Sequence, residues 1–183
     1  MVARALLYVE EFFGTAEISP IGLARDIWAL LLLLQRPYIF RILDVPTFGF
    51  LKVDFNGSMA DDGRGKGVGF VIRDHEFKLV ATGGQRIFDS SVVCVELKAA
   101  WEGISYAKRT LGADRIILEG DSATVIDWIR GRGRAGKGRP LLLDIRGLLQ
   151  EYGAHQATHV YREVNCAADW VTSYATHHSG SFI

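Results

Sequence analysis

The chain has 183 residues, enough for one domain of ordinary size with a short appendage. Its 21 basic and 21 acidic side chains cancel, which excludes a uniformly basic nucleic-acid binder, so any phosphate contact must come from a local patch. The two cysteines, Cys94 and Cys166, lie far apart with no Cys/His cluster, which excludes a disulfide framework or a zinc site and suits a reducing compartment, cytosol or nucleus.

Residues 1–45 are apolar, broken by Pro20 and Pro37, with helical stretches near 4–13 and 23–34 and no motif that carries chemistry. Their longest apolar run, 27–34, is too short to span a bilayer, and nothing there reads as a secretory signal. Val45-Pro46-Thr47 reads as a boundary, separating an appendage (1–47) from a domain (48–183).

The first strand, 50–56, alternates Leu51, Val53 and Phe55 against Lys52, Asp54 and Asn56, then meets Gly57-Ser58. Taken alone it reads as a half-exposed edge strand with a polar outer face. A loop rich in glycine and charge leads to a second strand, 68–73. Asp74–Phe77 makes a hairpin turn that lacks the glycine such turns favour. The third strand, 78–81 and 85–88, is expected to bulge at Gly83-Gly84. The period then switches to a helix over 92–109, ended near Gly112. A buried strand at 115–118, helices opened by Asp121-Ser122 and by Pro140, a strand at 155–161 and a helix at 165–176 complete the domain. The order β-β-β-α-β-α-α-β-α predicts an α/β fold: a five-stranded mixed sheet, three strands antiparallel and two parallel, with helices on both faces.

Three acids stand out. Glu96 shares its helical face with Ala99, Ala100 and Gly103, so it reads equally as an acid favoured by the helix dipole or as a carboxylate held against the sheet. Asp121 follows a buried strand and opens a helix, a place for an N-cap and also for a site residue. Asp169 lies one turn into the last helix and alone reads as a surface acid, though Ala167 and Ala168 beside it would let a partner approach. His159 reads as structural. Residues 130–139 gather five basic side chains in ten, a local phosphate patch in a neutral chain or a solvated loop.

Taken in order, residues 53–58, 68–74, Val95-Glu96-Leu97-Lys98-Ala99-Ala100, 118–122 and 162–169 resemble the ribonuclease H-like superfamily, and closer still the reverse-transcriptase-like, retroelement-derived domains abundant in plants. That resemblance implies cleavage of the RNA strand of an RNA–DNA hybrid by a monomer with no membrane association. It implies four acids holding two divalent ions, Mg2+ or Mn2+, with Glu96 second, Asp121 third and Asp169 fourth. The family's first acid directly precedes Gly-Ser, where this chain has Asn56; its aspartate, Asp54, lies two residues earlier on the same strand face. The expected metal set is therefore Glu96, Asp121, Asp169 and Asp54, with Asn56 offering a neutral oxygen and turnover severely reduced. Without the first acid, a catalytically inactive binding module is the alternative. Gly57, Ser58, Ser122 and Asn165 beside the acids, and Arg64, Lys66, Arg132, Arg134, Lys137 and Arg139 in the basic loops, are the expected nucleic-acid contacts.

Overall fold

In the computed structural model, Leu51–Met59 forms strand β1, and its alternation is buried on both faces. Val53 and Phe55 fill one side, while Lys52, Asp54 and Asn56 are buried on the other. The expected edge strand is in fact central. It pairs antiparallel with β2 (Lys66–Arg73) and parallel with β4 (Arg115–Gly120). Charges on a covered face need partners. Lys52 Nζ lies 3.1 Å from Glu119 Oε2 in β4, and the Arg73 guanidinium in β2 binds the Asp54 carboxylate.

The structure describes residues 46–59, 65–88, 91–133, 138–177 and 180–183, so the helices expected before residue 46 lie outside it. The described residues fall within one unit, Asp44–Ile183. Among the described residues, no helix is long and apolar enough to cross a membrane.

The glycine missing from the hairpin turn after β2 is replaced by strain and a side-chain anchor. Phe77 takes φ 67, the left-handed conformation, while Asp74 Oδ1 accepts the N–H groups of Glu76 at 2.8 Å and Lys78 at 3.0 Å. Strand β3 (Leu79–Ile87) then runs without the interruption expected at Gly83-Gly84. The register shift falls earlier in β3 instead: consecutive Ile72 and Arg73 pair with Ala81 and Leu79, leaving Val80 as the extra residue. Gly83 serves packing: a Cβ there would come 2.7 Å from the Phe70 ring.

Helix α1 (Val92–Arg109) starts at Ser91, whose Oγ accepts the Cys94 N–H, and ends before Gly112 at φ +66. Its small-residue stripe lies on the sheet, where a Cβ on Gly103 would fall 2.7 Å from Val53 Cγ1. Next come α2 (Ala123–Ile129), α3 (Arg139–Gln150), β5 (Ala154–His159) and α4 (Cys166–His177). Helix α4 covers the opposite face, meeting β2 at Gly67 and Gly69, where an added Cβ would strike Thr172.

The sheet order is β5-β4-β1-β2-β3-β6, with β1, β4 and β5 mutually parallel as the crossovers predict. Among the described residues it has six strands rather than five. The extra one, β6 (Ser181–Phe182), pairs with Gly84 and Gln85 and is too short to show a period. At the other edge, Arg130 Nε donates to the Ala157 carbonyl of β5 at 2.7 Å.

Candidate active site

The C-terminal half of β1 brings three elements together. Gly57 is the contact with α1: a Cβ there would lie 2.6 Å from the Glu96 nitrogen and 2.7 Å from the Val95 carbonyl carbon. Without a side chain, the Gly57 N–H reaches Glu96 Oε2 at 3.0 Å. One residue earlier and on the opposite face, Asn56 meets α4. Its Nδ2 donates to Asp169 Oδ1 at 3.0 Å, and Thr172 Oγ1 lies 2.9 Å from its carbonyl oxygen. Asn165, fully buried just before α4, donates to the Phe55 carbonyl at 2.8 Å.

Asp121 joins them from the end of β4. Ser122 caps α2 in its place, its Oγ accepting the Val125 N–H at 3.4 Å, so the Asp121 carboxylate is not spent on the cap. The pairing of Gly120 with His159 sets the His159 ring beside Asp121, with Nε2 3.1 Å from its carbonyl oxygen. His159 thus adjoins the acids, which its place inside a strand had concealed.

The carboxylates feel one another. Burial pushes the Glu96 carboxyl up to about 8; the Asp121 charge adds to this, the Gly57 N–H opposes it, and the Asp169 charge adds further. Asp121 is raised by burial first and by Asp169 second, against its own N–H, Arg162 and His159.

Asp54 is not part of this group. It shares the strand face of Asn56 but lies about 7 Å back along β1. There it neutralises the buried Arg73, and its charge is not among those that shift Glu96 or Asp121. Arg162, which carried no role in the sequence reading, does belong. It lies between β5 and α4 and places one terminal nitrogen 3.1 Å and 3.3 Å from the two Asp169 oxygens.

Among the described residues, no three His, Cys, Asp or Glu side chains converge closely enough to hold a metal ion. The donor set explains why. Asn56 turns an N–H donor toward Asp169, Arg162 occupies both Asp169 oxygens, and Asp54 is committed to Arg73. These residues do not fit a pair of divalent ions.

Of the expected nucleic-acid contacts, Ser58 is half-exposed just past Gly57, and Lys66 opens β2 beside Met59. Arg132 lies 2.5 Å from Asp127 in an exposed pair, and Arg139 opens α3. Arg64, Arg134 and Lys137 lie outside the described residues.

The reverse transcriptase-like family model matches residues 54–175, two thirds of the chain. The chain belongs to this family. Among solved structures, the ribonuclease H1 of the halophilic archaeon Halobacterium salinarum is 26% identical with a TM-score of 0.65, covering 69% of this chain and 96% of that one. The N-terminal ribonuclease H domain of a Mycobacterium tuberculosis protein is 20% identical, also at a TM-score of 0.65, covering 70% and 94%. LC11 ribonuclease H1, isolated from compost and solved in complex with an RNA/DNA hybrid, is 16% identical with a TM-score of 0.63, covering 69% and 96%. The last two are alike in fold alone. No curated protein is significantly similar.

This reverse transcriptase-like domain therefore has a ribonuclease H-like fold. At the positions the sequence resemblance assigned, it sets three carboxylates and one amide.

Proposed function

We propose that the domain, of retroelement descent, binds RNA–DNA hybrid at the end of the sheet where Glu96, Asp121 and Asp169 lie, and hydrolyses the RNA strand very weakly or not at all. One observation carries the second half: the Asn56 amide donates to Asp169 where a fourth carboxylate would be needed. The first half is supported by the family match and by the LC11 relative, solved with a hybrid. Two divalent ions would supply a bound hydroxide and steady the leaving oxygen. This site offers a pair of them less negative charge than four carboxylates would, and Mg2+ demands near-ideal octahedral oxygen geometry where Asn56 presents an N–H and Arg162 already engages Asp169. What remains are polar and basic side chains, Ser58, Lys66 and Arg139, each exposed or half-exposed and of the chemistry that meets a sugar-phosphate chain.

The test is cleavage and binding of a labelled RNA–DNA hybrid by the full chain with Mg2+ or Mn2+, beside Asn56→Asp and the double variant Asn56→Asp/Glu96→Gln. The natural chain should bind the hybrid and cut it at least about 100-fold more slowly than Asn56→Asp, a loss at or beyond that seen when the partners of metal ligands are removed. The double variant should be silent. Efficient cutting by the natural chain would show that three acids suffice. Absence of hybrid binding would remove the proposal.

A further inference from the structure

We infer that Asn56 and Arg162 together take the place of a divalent cation on Asp169, so that α4 closes onto β1 without metal and the site does not take one up. Asp169 receives three N–H contacts from two separate elements. Asn56 Nδ2 approaches Oδ1 at 3.0 Å from β1, and one Arg162 nitrogen lies 3.1 Å and 3.3 Å from Oδ1 and Oδ2 from the connection before α4. The two donors are complementary. Asn56 is 3% exposed and fixed by its strand, while the Arg162 side chain is 71% exposed and brings the positive charge. An exposed ion pair alone contributes little. Here a buried neutral donor pre-positions the carboxylate, and the guanidinium meets an acid already oriented. The remaining bonds across this seam also need no ion: Asn165 to the Phe55 carbonyl, and Thr172 shared between the Asn56 and Ala168 carbonyls.

A fourth carboxylate at position 56 would reverse this. It would set a second negative charge against Asp169 where there is now a donor, and only a cation between them would restore the seam. The substitution that removes metal affinity is thus the one that makes the closed state self-sufficient. This rests on Asn56 standing at the first-acid position.

The experiment uses the full chain, as the natural protein, Asn56→Asp and Arg162→Ala. Mn2+ uptake is read by electron paramagnetic resonance, and melting is followed in EDTA and in millimolar MgCl2. The natural chain should leave millimolar Mn2+ free and melt at one temperature in both buffers. Asn56→Asp should melt about 3 °C or more lower in EDTA, recover in MgCl2 and sequester Mn2+. Arg162→Ala, at an exposed position, should melt lower and gain weak Mn2+ uptake. If Asn56→Asp folds only with MgCl2, the inference is supported; if it folds in neither buffer, Mn2+ uptake by Arg162→Ala decides for it and none decides against. Submillimolar Mn2+ binding by the natural chain, or a clear rise of its melting temperature in MgCl2, would overturn it. None of these readouts involves nucleic acid, so the result is separate from whether hybrid binds.

Discussion

Lys52 Nζ and Glu119 Oε2 meet at 3.1 Å with both side chains more than nine-tenths buried, a charged cross-link between β1 and β4. Removing one partner leaves the other charge in a poor solvent. Glu119→Gln should cost about 3 kcal/mol or more in urea unfolding, whereas Lys52→Met/Glu119→Leu should return most of that loss. A single variant no worse than the double would show that the pair is solvated.

Gly57→Ala tests how tightly α1 sits on the site. The new Cβ would meet backbone atoms of Val95 and Glu96 at 2.6–2.7 Å, which no side-chain rotation relieves. The helix must move outward and stretch the Gly57 to Glu96 bond. A loss of about 1–3 kcal/mol in thermal unfolding is expected, typical of overpacking. Retained stability together with an unshifted Glu96 titration would contradict the packing.

Glu96 sets a pH dependence whose sign follows from its raised carboxyl. The folded protein holds this proton up to about pH 8, whereas the unfolded chain releases it near the ordinary glutamate value of 4.5. The folded state therefore binds more protons across that window, and stability falls as pH rises from about 4.5 to about 8. Asp121, also raised, adds to the same slope at its acidic end. Glu96→Gln keeps an acceptor for the Gly57 N–H and removes the charge. It should exceed the natural chain by at least about 1 kcal/mol above pH 8 and flatten the slope. Parallel pH–stability curves for the two would refute the raised carboxyl.

Asn165→Ala deletes the bond to the Phe55 carbonyl at a fully buried position. An orphaned buried carbonyl costs about 1–3 kcal/mol. Amide exchange should quicken in the first turn of α4 before it does in α1; uniform acceleration would mean that Asn165 only contributes to global stability.

The sequence disclosed what depends on local period and spacing. Helix and strand periods place Glu96 on its small-residue stripe, Asp121 past a buried strand and Asp169 in the last helix, but it was the order of motifs in the family resemblance that singled them out together. The surroundings of β1 could not be found that way. Alternation put Lys52, Asp54 and Asn56 on one face, yet only the pairing with β2 and β4 makes the strand central and binds Asp54 to Arg73, and only the packing of α4 against Asn56 closes that face over the site. The same holds for His159, which meets Asp121 only because β4 and β5 pair across 38 residues, whereas Arg162 reaches Asp169 over seven residues through a connection that has no period to read. The turn at Phe77 escaped for another reason: a left-handed phenylalanine is uncommon enough that only the Asp74 anchor makes it tolerable.

The Arg130 contact to the Ala157 carbonyl has a consequence for how these molecules coexist. β5 is the outermost strand on its side of the sheet, and an open row of backbone acceptors invites a neighbour to zip on. A guanidinium seated on one of those acceptors must be evicted before a foreign strand can align, and it meets that strand with a positive charge. Among the described residues, the border of the sheet is guarded by its own side chain.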